Sequence, residues 1–183
     1  MAKLKESWEQ LHYLVCEISQ IVNQRWWRWF TCWFGSSAGV IASYRLDRFF
    51  YLIFGDIYPF VRVVFFPIFI ILRILSFNHE ISYRAEIGKG LSIMHPSLGV
   101  VISGYAVIGS NLALAGGNGI GSRMRKEPRI IIGDNVYLGV NAVILGPVRI
   151  GNKACIGAGA VVINDVEDRQ IVGGVPAKLL RTR

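Results

Sequence analysis

Residues 132–162 read IGDNVYLGVNAVILGPVRIGNKACIGAGAVV, and an aliphatic side chain falls on every sixth position: Ile132, Leu138, Ile144, Ile150, Ile156 and Val162. Two places before the last five stand Val136, Ala142, Val148, Ala154 and Ala160, and glycine comes directly after the aliphatic at 133, 139, 151 and 157. A period of six fits neither a helix, at 3.6, nor a free strand, at 2. It fits a parallel β-helix of hexapeptides, in which three repeats close one triangular coil and each inward aliphatic stacks on the one below. The short residue packs near the corner, and glycine serves where a Cβ would clash.

The phase runs backwards through Ile120, Leu114, Ile108 and Ile102. It lapses for two repeats over residues 121–129 and resumes in step, which predicts a loop thrown out of a corner while the solenoid continues beneath it. Ile81, Ile87 and Ile93 also run in sixes, three residues out of register with the repeats from Ile102 onward; the slip falls at His95-Pro-Ser-Leu-Gly99. In a monotonous scaffold, departures from the repeat are where function concentrates. They are the segment carrying His95 and the loop carrying Arg123, Arg125 and Lys126.

The net charge of +8 is uneven, about +2 on residues 1–80 and +6 on residues 81–183, so an anionic ligand is expected on the repeats. Cys16, Cys32 and Cys155 are widely spaced, without a CxxC pair or a metal-ligand spacing, which points to a reducing compartment. Met1-Ala-Lys-Leu-Lys-Glu6 lacks the apolar core of a secretory signal, so export is not expected.

The front half differs in kind. Leu4, Trp8, Leu11, Val15, Ile18 and Val22 step by four and three, an apolar stripe suited to helix packing, with Glu6, Glu9, Glu17 and Gln20 on the opposite face. Of the 22 aromatic residues, 17 fall between Trp26 and Phe77. That is far more aromatic surface than a cap on a solenoid needs. Trp and Tyr interleaved with Arg favour the membrane–water interface. The stretch 57–77 is long enough to span a bilayer, but Arg62, Pro67 and Arg73 interrupt it. An interfacial or shallow re-entrant helical hairpin is therefore expected, with a true span as the alternative. The predicted organisation is an α-helical, membrane-associated region over 1–78 and a mainly β solenoid over 79–183.

His95 is the one histidine inside the repeats, which excludes a three-histidine metal site there. Neutral imidazole can take a proton from a hydroxyl near pH 7, so a histidine on a rigid backbone suits general-base catalysis. Glu80, fifteen residues earlier, falls a little under one coil away, from where it can orient the imidazole. The alternative leaves His95 a hydrogen-bonded corner residue.

Four stretches carry a resemblance: residues 80–90 (EISYRAEIGKG), 93–102 (IMHPSLGVVI), 132–139 (IGDNVYLG) and 173–178 (GGVPAK). Together they resemble the hexapeptide-repeat acyltransferases of the serine acetyltransferase type, and more narrowly the colanic-acid and capsular polysaccharide O-acetyltransferases. The resemblance implies a left-handed parallel β-helix, an exception to the right-handed crossover rule, and a homotrimer. It implies His95 as catalytic base and Glu80 as its carboxylate partner, with acetyl-CoA as co-substrate and no metal. It also implies a coenzyme A groove along the repeats between subunits, at Gly139, Val140, Ala142, Ala158 and Pro176, with Lys178 and Arg129 near the phosphates. Arg123 and Arg125 on the extruded loop are assigned to the acceptor.

Two departures weigh against a small amino acid as acceptor. Met94 stands where serine acetyltransferases carry an aspartate, and Glu127-Pro128-Arg129 replaces their second histidine and its Pro-Lys. The front half does not resemble their long helical domain. The function expected is acetyl transfer to a sugar hydroxyl of a lipid-linked exopolysaccharide or capsule precursor, at the cytoplasmic face of a bacterial inner membrane, with no nucleic-acid partner. Serine O-acetylation is the alternative enzyme, and a non-catalytic, membrane-bound trimeric scaffold the alternative of another class.

Overall fold

The computed structural model describes residues 2–22, 37–64, 79–122 and 129–182. Arg123, Arg125, Trp26–Trp33 and residues 65–78, which include Pro67 and Arg73, lie outside them. The chain divides into two compact units, Met1–His79 and Glu80–Arg183.

The second unit is a triangular parallel solenoid whose strands visit three sheets in turn. The first sheet holds β1 (His79–Ile81), β4 (Val100–Ile102), β7 (Asn118–Ser122), β10 (Val143–Gly146) and β13 (Val161–Val162). The second holds β2 (Glu86–Ile87), β5 (Ala106–Ile108), β8 (Ile130–Ile132) and β11 (Val148–Ile150). The third stacks β3 (Ser92–Ile93), β6 (Ala113–Leu114), β9 (Tyr137–Leu138), β12 (Cys155–Ile156) and β14 (Gln170–Gly173), closed by the antiparallel β15 (Lys178–Thr182).

All ten aliphatics of the six-residue phase from Ile102 to Val162 are buried. Ile132 pairs with Ile150, Leu138 with Ile156 and Ile144 with Val162, each eighteen residues apart. Both irregularities read from the sequence appear as changed spacing. Ile87 pairs with Ile108 and Ile93 with Leu114, twenty-one apart, because a 3-10 turn over Pro96–Leu98 adds three residues. Ile108 pairs with Ile132 and Ile120 with Ile144, twenty-four apart, the surplus of six being residues 123–128. A third slip is new. Beyond Val162 the spacing shortens to sixteen, with Val172 stacking on Ile156 and Val166 bridging to Ile150.

In the first unit α1 (Ala2–Val22) and α2 (Ser37–Phe54) lead through a 3-10 turn, Gly55–Ile57, into α3 (Tyr58–Val64). The apolar stripe of α1 is only partly a packing face. Ile18 and Val22 are buried against Ala38, but Leu4, Trp8 and Val15 are 55, 61 and 60 % exposed. Ser7, Gln10 and Glu17 are buried instead. The cause is α2, which brings a fully buried Arg45 to that face. Its guanidinium donates to Glu17 at 2.6 and 3.1 Å and to Gln10 Oε1 at 2.8 Å, with the Tyr13 and Tyr44 rings 5.2 and 5.3 Å away. A guanidinium removed from water requires such partners, so polar residues of α1 turn inward and part of its apolar stripe is left outside.

Two more pairs extend the pattern. Arg48 meets Glu6 at 3.1 Å, and Asp47 accepts from the Tyr58 hydroxyl and from Arg62, the latter at 3.1 Å. Desolvation pushes the Asp47 carboxyl above its usual value, while the Tyr58 hydroxyl and Arg62 pull it back. Replacing one member of the Arg45–Glu17 pair strands a buried charge. Glu17→Leu is expected to cost ~3–5 kcal/mol, while Arg45→Met with Glu17→Leu recovers most of it. Urea midpoints of helicity check both, and a single variant as stable as wild type refutes the account.

Candidate active site

His95 stands at the edge where the third sheet turns into the first. The extra turn Pro96–Leu98 begins directly after it, with proline at its first position. The His95 N–H donates to Ala115 O at 3.1 Å and its carbonyl accepts from Leu98 N at 3.2 Å, so the backbone is held while the side chain is exposed. Glu80 is the central residue of β1, which lies beside β4 in the first sheet, and it too is exposed. Both residues occupy the first coil, and no hydrogen bond or ion pair joins them. Immediately before Glu80, His79 has both ring nitrogens buried without a hydrogen-bond partner among the described residues, and burial pushes its pKa down.

The edge that carries His95 also carries four of the other predicted positions, Gly139, Val140, Ala158 and Pro176. Above it stack the corners at 115–117, 139–141, 157–159 and 174–176. They are tied by Asn141 N–H to Gly116 O at 2.9 Å, Gly159 N–H to Val140 O at 2.8 Å and Val161 N–H to Gly174 O at 3.0 Å. At roughly 4.8 Å per step, Ala158 lies about 14 Å along the edge from His95. A Cβ on Gly139 would stand 2.5 Å from Ala158 N, so only glycine lets these coils close. Val140 is half-buried, and Ala158 and Pro176 are exposed. The edge is thus a strip of backbone and small side chains leading to an imidazole.

Two predicted positions fall off this strip and a third lies at its end. Ala142 is fully buried, so its side chain packs in the core and offers no surface to a ligand; this corrects its assignment to coenzyme A. Arg129 is exposed at the edge between the first and second sheets, away from His95 in the same chain. Lys178 opens β15 beside the last corner, exposed, paired in register with Gly173. Arg123 and Arg125 lie outside the described residues. Among the described residues no group of three His, Cys, Asp or Glu could hold a metal ion.

One residue escaped the sequence reading. Asn118 occupies an inward position of the repeat, two places before Ile120, and is 2 % exposed. The signal was a polar side chain in the column otherwise filled by Val136, Ala142, Val148, Ala154 and Ala160.

Residues 129–164 match the family described as bacterial transferase hexapeptide (six repeats). "Serine acetyltransferase 4" of Arabidopsis thaliana is 38 % identical over 106 residues, 57 % of this chain and 30 % of that protein. The chain therefore spans about a third of the length of the plant relatives it matches. "Putative colanic acid biosynthesis acetyltransferase WcaB" of Escherichia coli K12 is 35 % identical over 117 residues, 62 % of this chain and 72 % of that protein. Among solved structures, the serine acetyltransferase CysE of Neisseria gonorrhoeae superposes with a TM-score of 0.76 at 28 % identity. That match covers 99 % of this chain and 68 % of the other. It includes the helical unit, which is not expected from the sequence to resemble the long helical domain of serine acetyltransferases. The coil is the left-handed parallel β-helix of that fold. The chain belongs to the hexapeptide-repeat acyltransferases of the serine acetyltransferase type.

Proposed function

We propose that this protein transfers an acetyl group from acetyl-CoA to a sugar hydroxyl of a lipid-linked exopolysaccharide or capsule precursor, with His95 as general base. The observation that carries this reading is the shared edge: one exposed imidazole at the foot of a strip formed by Gly139, Val140, Ala158 and Pro176. In this mechanism an imidazole nitrogen takes the acceptor proton as the hydroxyl oxygen attacks the thioester carbon. The tetrahedral intermediate collapses, the C–S bond breaks, and the departing thiolate recovers the proton from the imidazolium. An O-acetyl ester and free coenzyme A result. No acyl-enzyme is required, because the thioester is already activated.

Glu80, exposed on β1 of the same coil, would orient the imidazole. Lys178, at the far end of the strip, suits the coenzyme's phosphates. A homotrimer, as is typical of this fold, would bring Arg129 of one subunit towards the groove of another.

Support for a sugar acceptor comes from WcaB, 72 % of which is covered and whose name places it in colanic acid biosynthesis, and from Met94 in place of an aspartate. The serine acetyltransferase matches favour a second reading, O-acetylation of serine. One assay separates them. The purified full-length protein is incubated with labelled acetyl-CoA and, in parallel, lipid-linked oligosaccharides or serine. An oligosaccharide mass gain of one acetyl group supports the proposal. Label in O-acetylserine alone transfers the chain to the second reading, and a protein that neither transfers acetyl nor binds coenzyme A supports a scaffold.

For location, the proposal is peripheral or shallow insertion at the cytoplasmic face of a bacterial inner membrane. Among the described residues no helix is long and apolar enough to cross a membrane. What supports surface insertion is the apolar exterior of α1 and of the α2–α3 segment, over polar groups turned inward.

A further inference from the structure

The inward column that holds Asn118 is otherwise apolar: Val100, Ala106, Leu112, Ile130, Val136, Ala142, Val148, Ala154 and Ala160 are all buried in it. An amide in such a slot costs stability unless every polar atom is used. In this slot they are used. Asn118 Oδ1 accepts the Gly116 N–H at 2.9 Å, and Nδ2 donates to Gly139 O at 2.7 Å and Ala142 O at 3.4 Å.

Those partners lie on the edge that carries the candidate site. Gly116, at φ +124°, sits directly on the base: a Cβ there would stand 2.5 Å from the His95 carbonyl oxygen and 3.2 Å from His95 Cβ. The neighbouring bonds lock both ends of the His95–Gly99 excursion to the same corner, His95 N–H to Ala115 O at 3.1 Å and Gly117 N–H to Gly99 O at 2.7 Å. Gly139 lies one coil further on, stacked on Ala158. A single buried side chain therefore ties the corner beside the imidazole to the corner of the proposed donor strip.

We propose that Asn118 is a positioning residue that fixes where His95 sits relative to the donor-binding corner at Gly139. This deepens the reading of His95 as base and rests on it. The bulk requirement of the slot is met equally by valine, which occupies the same column at Val100, Val136 and Val148. What only the amide supplies is one acceptor and two donors directed at three backbone groups of the edge. Asn118→Val leaves the Gly139 and Ala142 carbonyls their backbone partners, Ala142 N and Gly119 N. It takes from Gly116 N–H the bond that holds the corner against His95.

The test uses full-length protein labelled with 13Cε1-histidine, in which the His95 ring signal is identified by its loss in His95→Ala. Asn118→Val is expected to move that signal while the His12 signal stays in place. Consumption of acetyl-CoA with the lipid-linked acceptor should fall about tenfold or more in kcat, with coenzyme A affinity within about twofold of wild type. An unmoved His95 signal, or kcat within twofold of wild type, overturns the proposal. If Asn118→Val does not fold, Asn118→Ala removes the same bond to Gly116 N–H in a column that already holds alanine at 106, 142, 154 and 160. It should move the same ring signal and lower kcat, and an unchanged signal overturns the proposal. Failure of the base reading itself looks different: His95→Ala then retains turnover, whatever the ring signal does in Asn118→Val.

Discussion

His95→Ala lowers acetyl transfer by at least ~10²-fold and leaves coenzyme A affinity within about twofold of wild type, the pattern expected when a general base is lost from an intact donor site. A hundredfold corresponds to ~2.7 kcal/mol of transition-state stabilisation. The separation of effects comes from geometry. The exposed imidazole sits at one end of the edge, and the positions assigned to the donor begin two coils further on at Gly139 and Val140. Removing the ring therefore leaves the strip untouched. The backbone at 95 is held by Ala115 and Leu98 through main-chain atoms that alanine retains, so the fold should survive. Glu80→Gln should lose less, because a neighbouring carboxylate orients the ring without taking the proton. Initial rates over a range of acetyl-CoA concentrations, with calorimetric coenzyme A affinities, check each statement. A His95→Ala protein with near-normal turnover removes the mechanism, whereas a fully active Glu80→Gln protein removes only the role of the carboxylate.

Legibility in the sequence tracked how strictly each constraint repeats. Ile132, Ile144 and Ile150 had to be aliphatic because each stacks on its neighbours in a closed core, so their phase was visible without any structure. The two excursions were visible for the same reason, as interruptions of that phase. His95 stood out by falling on one of them. Constraints that come from another element left no periodic trace. Glu17 is buried because Arg45 approaches from α2, twenty-eight positions away, and nothing in the α1 stripe announces it. Arg62 counted in the sequence as a charge inside an apolar run, yet it reaches Asp47 and so is partly neutralised. Ala142 and Ala158 looked alike as small residues, but one faces the core and the other solvent, a distinction set by register within the corner. Asn118 was legible in principle, since a polar residue in an apolar column had to be using its hydrogen bonds.

The full chain is expected to pellet with membranes, resist a high-salt wash and require detergent for release, while a chain beginning at Asn78 remains in the supernatant. The helical unit turns a cluster of its charges inward. Arg45 and Glu17 are paired at 0 and 1 % side-chain exposure, and Asp47 and Arg48 are buried beside them. Outside lie Leu4, Trp8 and Val15 on α1, and Phe50, Ile53, Phe54, Ile57, Phe60, Val63 and Val64 along α2 and α3, the last three 72–76 % exposed. At roughly 25 cal/mol per Å² of apolar surface, leaving such side chains in water forfeits on the order of 1.5–3 kcal/mol for each one fully exposed. A bilayer surface recovers that energy without needing a span, and the sequence after Val64 continues in the same apolar manner as Phe65-Phe66-Pro67-Ile68-Phe69. Arg62 is held by Asp47, so its cost near the interface is reduced. Salt resistance distinguishes this insertion from attraction of a basic protein to anionic headgroups, which high salt screens. If the full chain stays in the supernatant without detergent, this apolar surface is covered by protein, and the membrane proposal fails while the acetyl-transfer chemistry stands.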